Sequence, residues 1–349
     1  MSFLFNEGHI NWRLISRRLL IFLFFGMLIL YGIWPWLPGK EKPTRTLVLF
    51  GFSILSEVIN EGIFPEFQKE WEGKTGEKVE LISSFAGSGT VTNQIILGVP
   101  AEVAILSLEL DALRLVERNV LPSPDWRKLP YEGVVNRTPF IIMVGSENPQ
   151  DINDFDDLTR KGVGVVHPDP LTSGGAQWGL LAEYGSALRK SGDKAAAYDQ
   201  LLGIWQNVVA QSSSARAART QFENGFGHAL ITYEQEAIFD QARGRLKAKI
   251  IYPESTILSE HTAVMIHKNI DPDQREFIEA FMNFLWSDHA QRICVRYGFR
   301  SVKEELNNNP AFGAIKDPFT VKDLGGWENA KVEIIDNIWK NKVLPQLNR

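Results

Sequence analysis

Leu47-Val48-Leu49-Phe50-Gly51-Phe52-Ser53 is an apolar run that stops at a glycine and a serine. A short run of branched and aromatic residues reads as a buried strand. Beyond it, Leu55, Val58, Ile59 and Phe64 recur at near-helical spacing, which predicts a helix from about Ser53 to Trp71. Val79-Glu80-Leu81-Ile82 is a second strand, Gly87-Ser88-Gly89 opens a helix near Val91 to Leu97, and Val103-Ala104-Ile105-Leu106 is a third strand. Strands alternating with helices predict an α/β fold with a parallel sheet and crossover connections.

The same pattern restarts downstream. Phe140-Ile141-Ile142-Met143-Val144, Gly164-Val165-Val166, Ala229-Leu230-Ile231-Thr232 and Ile250-Ile251 read as strands, with a helix from about Ala176 to Arg189. Thr262-Ala263-Val264-Met265-Ile266 is a last strand, followed by a helix from Asp273 to Trp286. Two α/β lobes are expected, the second inserted into the first, with crossings near Thr138 and Ser259. Residues 47–138 and 259–349 then form lobe 1, and 139–258 form lobe 2.

Composition narrows the class. The 349 residues are 44% hydrophobic and 23% charged, which suits a well-packed chain of more than one domain. A net charge of −5 argues against nucleic-acid binding, which calls for a basic stripe. Cys294 is the only cysteine, so no intramolecular disulfide and no thiol cage can form, and it sits far from where a lipoprotein cysteine would stand.

The N-terminus carries a separate signal. From Leu19 to Gly39 no residue is charged, and the run to Trp36 would give about 27 Å of helix. Arg13, Arg17 and Arg18 precede it, which predicts a cytoplasmic N-terminus over 1–18, a transmembrane anchor over 19–38 and a polar linker over 39–46. Trp34 and Trp36 would sit at the far interface. A cleaved signal peptide is the alternative, but Leu30, Pro35, Leu37 and Pro38 crowd the places where cleavage wants small residues. Either reading exports the remainder, to the periplasm or outside the cell.

No catalytic constellation is visible. None of the six histidines forms a His-Glu-x-x-His pair, no phosphate-binding Walker loop occurs, and Phe85 stands where a nucleophile elbow needs glycine. The chain reads as a non-enzyme with neither cofactor nor metal. What recurs instead is Ser/Gly where a strand meets a helix: Phe50-Gly51-Phe52-Ser53, Gly87-Ser88-Gly89, Ser173-Gly174-Gly175 and Ser213-Ser214-Ala215. The first N–H groups of a helix lack intrahelical acceptors and carry partial positive charge. Glycine admits a ligand to the backbone, and serine adds a hydroxyl donor. Ser and Gly are also ordinary capping residues, so any one junction has a purely structural explanation. Four of them at the strand ends of an open α/β sheet predict a cleft for an anion rich in acceptor oxygens.

Asp169-Pro170-Leu171-Thr172-Ser173-Gly174-Gly175-Ala176-Gln177-Trp178 resembles the signature of the periplasmic sulfate- and thiosulfate-binding proteins. Gly87-Ser88-Gly89, Ala215-Arg216, Ile231-Thr232-Tyr233-Glu234-Gln235-Glu236 and Gly325-Gly326-Trp327 match in order, so the resemblance spans Leu47 to Trp327. It implies a two-lobed, type II periplasmic binding protein fold. It also implies capture of sulfate or thiosulfate for an ABC importer, whose permease and cytoplasmic ATPase are the expected partners. By matched position it implies backbone donors at Ser53, Gly174, Gly175 and Ala215, hydroxyl donors at Ser88 and Ser173, and a ring donor at Tyr233. Gly87, Gly89 and Arg216 are supporting positions. The chain departs from the family at Tyr233, where Trp is usual, at Ser53, where Asp is usual, and at Phe85, which replaces His.

Within residues 1–40, Arg13, Arg17, Arg18 and Lys40 face only Glu7, so the exported part is more acidic than the whole. A dianion would therefore depend on oriented local dipoles rather than net charge. Arg216 and Arg219 either add charge near the site or form a solvated helix face. Phosphate retains a proton and calls for a carboxylate acceptor, and none of the three Ser/Gly loops contains one; Glu234 and Asp169 are expected to be surface or hinge carboxylates. Molybdate, phosphate or another tetrahedral oxyanion is the alternative ligand, and an anchored anion sensor is the alternative role.

Overall fold

A computed structural model of the chain describes residues 12–33 and 44–347, which belong to two units, Met1–Pro43 and Thr44–Arg349. In the first, α1 (Trp12–Ile33) exposes Leu19, Phe22, Phe25 and Met27. Among the described residues no helix is long and apolar enough to cross a membrane. Arg13, Arg17 and Arg18 lie inside α1, so its uncharged part is only about 15 residues, or roughly 22 Å against a hydrocarbon core of about 30 Å. Of the transmembrane helix expected over 19–38, the described residues carry only this part, as far as Ile33. Trp34, Trp36 and the linker as far as Pro43 lie outside the described residues, as do residues 1–11.

The second unit opens with β1 (Arg45–Phe52), a short turn at Ser53–Leu55, a wide helical turn at Val58–Ile63 and α2 (Phe64–Thr75). Next come β2 (Val79–Ala86), α3 (Ser88–Ile96), β3 (Val103–Leu106) and α4 (Glu109–Glu117). The long β4 (Val134–Gly145) leads to β5 (Val165–Pro168), α5 (Gly174–Ser191), α6 (Lys194–Gln206) and β6 (Val208–Ser212). Then follow α7 (Ala215–Glu223), β7 (Ala229–Tyr233), α8 (Glu234–Ala242), β8 (Ala248–Ile251) and the long β9 (Ser255–Met265). The chain closes with α9 (Arg275–Leu285), α10 (Asp288–Arg296), β10 (Asp317–Phe319) and helical segments Gly326–Asn329, Ala330–Val343 and Leu344–Leu347.

The strands run in the order β2-β1-β3-β9-β4-β7-β5-β6, with β10 on β9 and β8 on β4. β1 is parallel to β2 and β3, and β5 is parallel to β6 and β7, giving two parallel halves. β4 and β9 run antiparallel between them, and Thr138 is the cross-strand partner of Ser259, the two expected crossing points. The joint is a buried polar chain: Ser259 Oγ donates to Thr138 O at 2.6 Å, and His261 Nδ1 meets Asn136 Oδ1 at 2.5 Å.

Each half buries its own apolar stripe. Phe67 packs among Trp71, Phe277, Phe281 and Phe284, with ring centroids 5.1–6.3 Å apart. Trp205 packs edge-on against Trp339 at 5.3 Å, and both are fully buried. Burial of such a side chain contributes roughly 1.5–3 kcal/mol. The C-terminal segment differs from its expected place with 47–138. β10 pairs with Ser255–Ile257, and the helix Ala330–Val343 packs on α5 and α6, so the tail returns to the second half.

Candidate functional site

The C-terminal ends of β1, β2, β3, β5, β6 and β7 lead through short junctions into helical turns, so those turns gather at one place. Parallel strands place all such junctions on the same edge of each half. Close approaches between loops from the two halves locate the meeting point. A Cβ added at Gly87 would lie 2.4 Å from Ser213 O and 2.5 Å from Thr172 O, so only glycine fits. Gly89 N donates to Thr172 O at 3.1 Å, and Thr172 Oγ1 donates to Ser213 O at 3.1 Å. A Cβ at Gly174 would lie 2.7 Å from Ser107 Cβ and 3.1 Å from Ser88 Cβ, and one at Gly175 would lie 2.9 Å from Tyr233 Oη.

The structure therefore brings together the loops of Ser88, Ser173-Gly174-Gly175, Ala215 and Tyr233. Ser53 begins the turn after β1, which packs against α7, and the preceding Phe52 ring lies 6.1 Å from that of Tyr233. Phe85 covers Gly51 closely: a Cβ there would meet its ring at 2.8 Å.

Local capping sets which donors face the cleft. Ser173 caps α5, accepting from Ala176 N at 3.4 Å, and Ser214 caps α7, accepting from Ala217 N at 3.2 Å. Gly174, Gly175 and Ala215 occupy first-turn positions whose N–H groups have no acceptor within the helix. The hydrogen of Ser173 is not used by its cap, because that bond is received rather than given.

Other expected donors are already engaged. Ser88 Oγ donates to Asp111 Oδ2 at 2.6 Å and receives Ser107 N at 3.0 Å. Tyr233 Oη lies 2.8 Å from Ser107 Oγ, and its ring is enclosed by Phe52, Phe140 and His261. Burial pushes the Tyr233 phenol well above its usual pKa, so it remains protonated. Gly89 uses its N–H to hold Thr172 rather than a ligand.

Arg216 is held by carboxylates from both halves rather than lying on a solvated face. Its guanidinium forks onto Glu57 at 2.5 and 2.9 Å and also bonds Glu236 at 3.0 Å. Arg219 holds Glu236 at 3.1 Å and Asp240 at 3.0 Å. Burial opposes the Glu57 charge, but the Arg216 fork and the Ser56 hydroxyl prevail and hold its pKa at about 2. Glu234, expected at a surface or hinge, is fully buried: Arg300 donates to it at 2.8 and 2.9 Å, and Tyr252 at 2.8 Å. Asp169 folds onto its own turn, accepting from Leu171 N at 2.9 Å.

Sequence reading missed Ser107 and Asp111. Leu106-Ser107-Leu108-Glu109 is a further strand-to-helix junction ending in serine, so the signal that marked the other junctions was present. Asp111 is buried in the first turn of α4, where burial pushes its carboxyl pKa up against the opposing effects of Ser88 and Arg114. Trp178 Nε1 donates to Ser107 O at 2.7 Å, and Trp178 packs edge-on against Trp327 at 4.7 Å. Gly325 and Gly326 precede Trp327 with φ of 86° and 81°, a conformation that disfavours side chains. Among the described residues no group of three or more His, Cys, Asp or Glu could hold a metal ion.

Comparison with known proteins places this geometry. The profile of the family described as bacterial extracellular solute-binding protein matches residues 60–300. The chain is 32% identical over 311 residues to a sulfate-binding protein of Synechococcus elongatus, covering 87% of this chain and 88% of that one. It is 32% identical over 278 residues to the sulfate-binding protein of Escherichia coli, covering 78% and 84%. A thiosulfate-binding protein of Pseudomonas aeruginosa is 29% identical over 307 residues, covering 86% and 92%. Among solved structures, the sulfate-binding protein SubI of Mycobacterium tuberculosis superposes with a TM-score of 0.76 at 27% identity, covering 84% of this chain and 100% of that one.

Proposed function

This chain belongs to the bacterial extracellular solute-binding protein family, and on that premise we propose that it captures sulfate, or the related thiosulfate, for an ABC importer. It is a binding protein, not an enzyme. The observation that carries the ligand class is the meeting of Gly87, at backbone contact, with the loops that lead into α5 and α7. In this reading the N–H groups of Ser53, Gly174, Gly175 and Ala215 and the hydroxyl of Ser173 enclose the anion. Oriented, pre-formed donors in a site without water stabilise a dianion without a counter-charge. The likeness to sulfate- and thiosulfate-binding relatives supports the same class.

The two lobes, 47–138 with the strand return from 259, and 139–258, close about the Thr138–Ser259 joint. The closed form is the one offered to the permease. Calorimetric titration of residues 44–349 with sulfate, thiosulfate, phosphate, molybdate and selenate tests the assignment. Sulfate or thiosulfate binds most tightly; tight phosphate binding without sulfate binding would refute it.

The N-terminal segment exports the chain and holds it at the membrane. The support is the exposed apolar surface of α1 after Arg17 and Arg18. Carbonate extraction and N-terminal sequencing of the mature protein test this. A released chain that begins beyond residue 38 rejects the tether and leaves export standing.

A further inference from the structure

Tyr233, Ser107 and Ser88 place three hydroxyl groups at the junctions around Gly174 and Gly175, and their hydrogens can be assigned one by one. Ser88 gives its hydrogen to Asp111 at 2.6 Å, and its oxygen accepts from Ser107 N. Ser107 Oγ and Tyr233 Oη are 2.8 Å apart, and neither hydroxyl has another hydrogen-bond partner among the described residues. Two hydroxyls joined by one hydrogen bond use one hydrogen and leave one. A phenol is a far stronger acid than an aliphatic alcohol, and its lone pairs are drawn into the ring. It is therefore the better donor of the pair, and the serine oxygen the better acceptor. Tyr233 gives its hydrogen to Ser107, and the hydrogen left over is that of Ser107.

Both oxygens stand beside the first turn of α5, Tyr233 Oη being 2.9 Å from where a Cβ of Gly175 would stand. Ser107 Oγ lies 2.8 Å from where a Cβ of Gly174 would stand. The peptide of Ser107 is fixed at both ends, its N–H on Ser88 and its carbonyl on Trp178. Tyr233 is fully buried, as Ser107 is, with its ring against Phe52, Phe140 and His261. We infer that Ser107, rather than Tyr233, donates the hydroxyl hydrogen to the bound oxyanion, and that Tyr233 is a positioning residue that orients it. The inference rests on the oxyanion reading above.

The test is sulfate titration of wild type, Ser107→Ala, Tyr233→Phe and the double variant, each checked for cooperative thermal unfolding without ligand. Loss of a hydrogen bond to a charged ligand lowers affinity about ten- to hundred-fold, so Ser107→Ala falls by that factor. Tyr233→Phe falls only a few-fold, because Ser107 keeps its hydrogen but loses its orientation. The double variant matches Ser107→Ala, since with the serine hydrogen gone the phenol has nothing left to orient. If Ser107→Ala does not fold, the double variant, which leaves no unpaired hydroxyl, is compared with Tyr233→Phe and must bind at least ten-fold more weakly. Equal losses in the single variants, or a larger loss in Tyr233→Phe, overturn the inference. Wild type that binds none of sulfate, thiosulfate, molybdate or selenate removes the oxyanion reading instead.

Discussion

Arg216 and Glu57 stand 159 positions apart in sequence and form a two-pronged ion pair, with Nη1 to Oε1 at 2.5 Å and Nη2 to Oε2 at 2.9 Å. Glu57 follows β1 in the first half of the sheet, while Arg216 is the second residue of α7 in the second, immediately after Ala215. Glu236 backs Arg216 from inside the second half. The pair is a strap across the cleft, fastened one residue from a proposed anion donor.

Glu57→Gln should therefore weaken sulfate binding roughly five- to thirty-fold, mainly by faster release, because about 1–2 kcal/mol of a partly buried charged pair is lost from the closed form. Arg216→Lys should behave almost as poorly, since an ammonium cannot reproduce a planar fork. Stopped-flow dissociation measures both. Unchanged release rates in Glu57→Gln would show that the strap does not hold the closed form.

Acid should destabilise the protein in two stages. Burial holds His261 neutral, with its pKa lowered from 6.5 to about 3, so the unfolded chain takes up a proton that the folded one refuses as pH falls below 6.5. Glu57, lowered from 4.5 to about 2, contributes stability that is complete above 4.5 and lost as pH falls towards 2. Chemical denaturation from pH 7 to 3 should show stability falling from about pH 6.5 downward, with a shallower decline in His261→Gln. An identical pH profile in that variant would assign the first stage to other groups.

Gly87→Ala tests the contact between the halves. The added methyl would meet two backbone carbonyl oxygens at 2.4 and 2.5 Å, and neither can rotate away. Closure should be blocked, with sulfate affinity down at least ten-fold and a smaller effect on thermal unfolding of the free protein. Small-angle scattering with sulfate should then show no compaction. Wild-type affinity would mean that the loops meet differently when ligand is bound.

Asp111→Asn should tighten sulfate binding about three- to ten-fold. The substitution removes a buried negative charge one hydrogen bond from the site, while the amide oxygen can still accept the Ser88 hydrogen. In wild type, affinity should rise as pH falls and Asp111 takes up a proton; in Asp111→Asn that dependence should vanish. Calorimetry at two pH values measures both. Weaker binding in the variant would assign Asp111 a holding role.

Much of the fold was legible because punctuation between strand and helix is local. Val103–Leu106 is the third strand as read, and the first strand extends the apolar run at Leu47–Phe50 by two residues at each end. The continuous helix read from Ser53 to Trp71 is divided into a short turn, a wide turn and α2, which begins only at Phe64. The strand β6 and the helices α4, α6, α8 and α10 were not named; in α6 and α8 mixed polar and apolar residues blur the periodicity. The return of the tail to α5 and α6 was invisible, because nothing in 317–347 states which of two apolar surfaces it will meet.

The sequence by itself determined that glycine and serine stand at the starts of helices, and hence that unpaired N–H groups are presented at Gly174, Gly175 and Ala215. Those properties depend on backbone chemistry within a few residues. Only the tertiary structure decided which partner each side chain meets. Ser88 meets Asp111, Tyr233 meets Ser107 and Arg216 meets Glu57, and each partner comes from a distant segment. A hydrogen bond is settled by distances below about 3.5 Å, and such distances exist only once both halves of the sheet have folded.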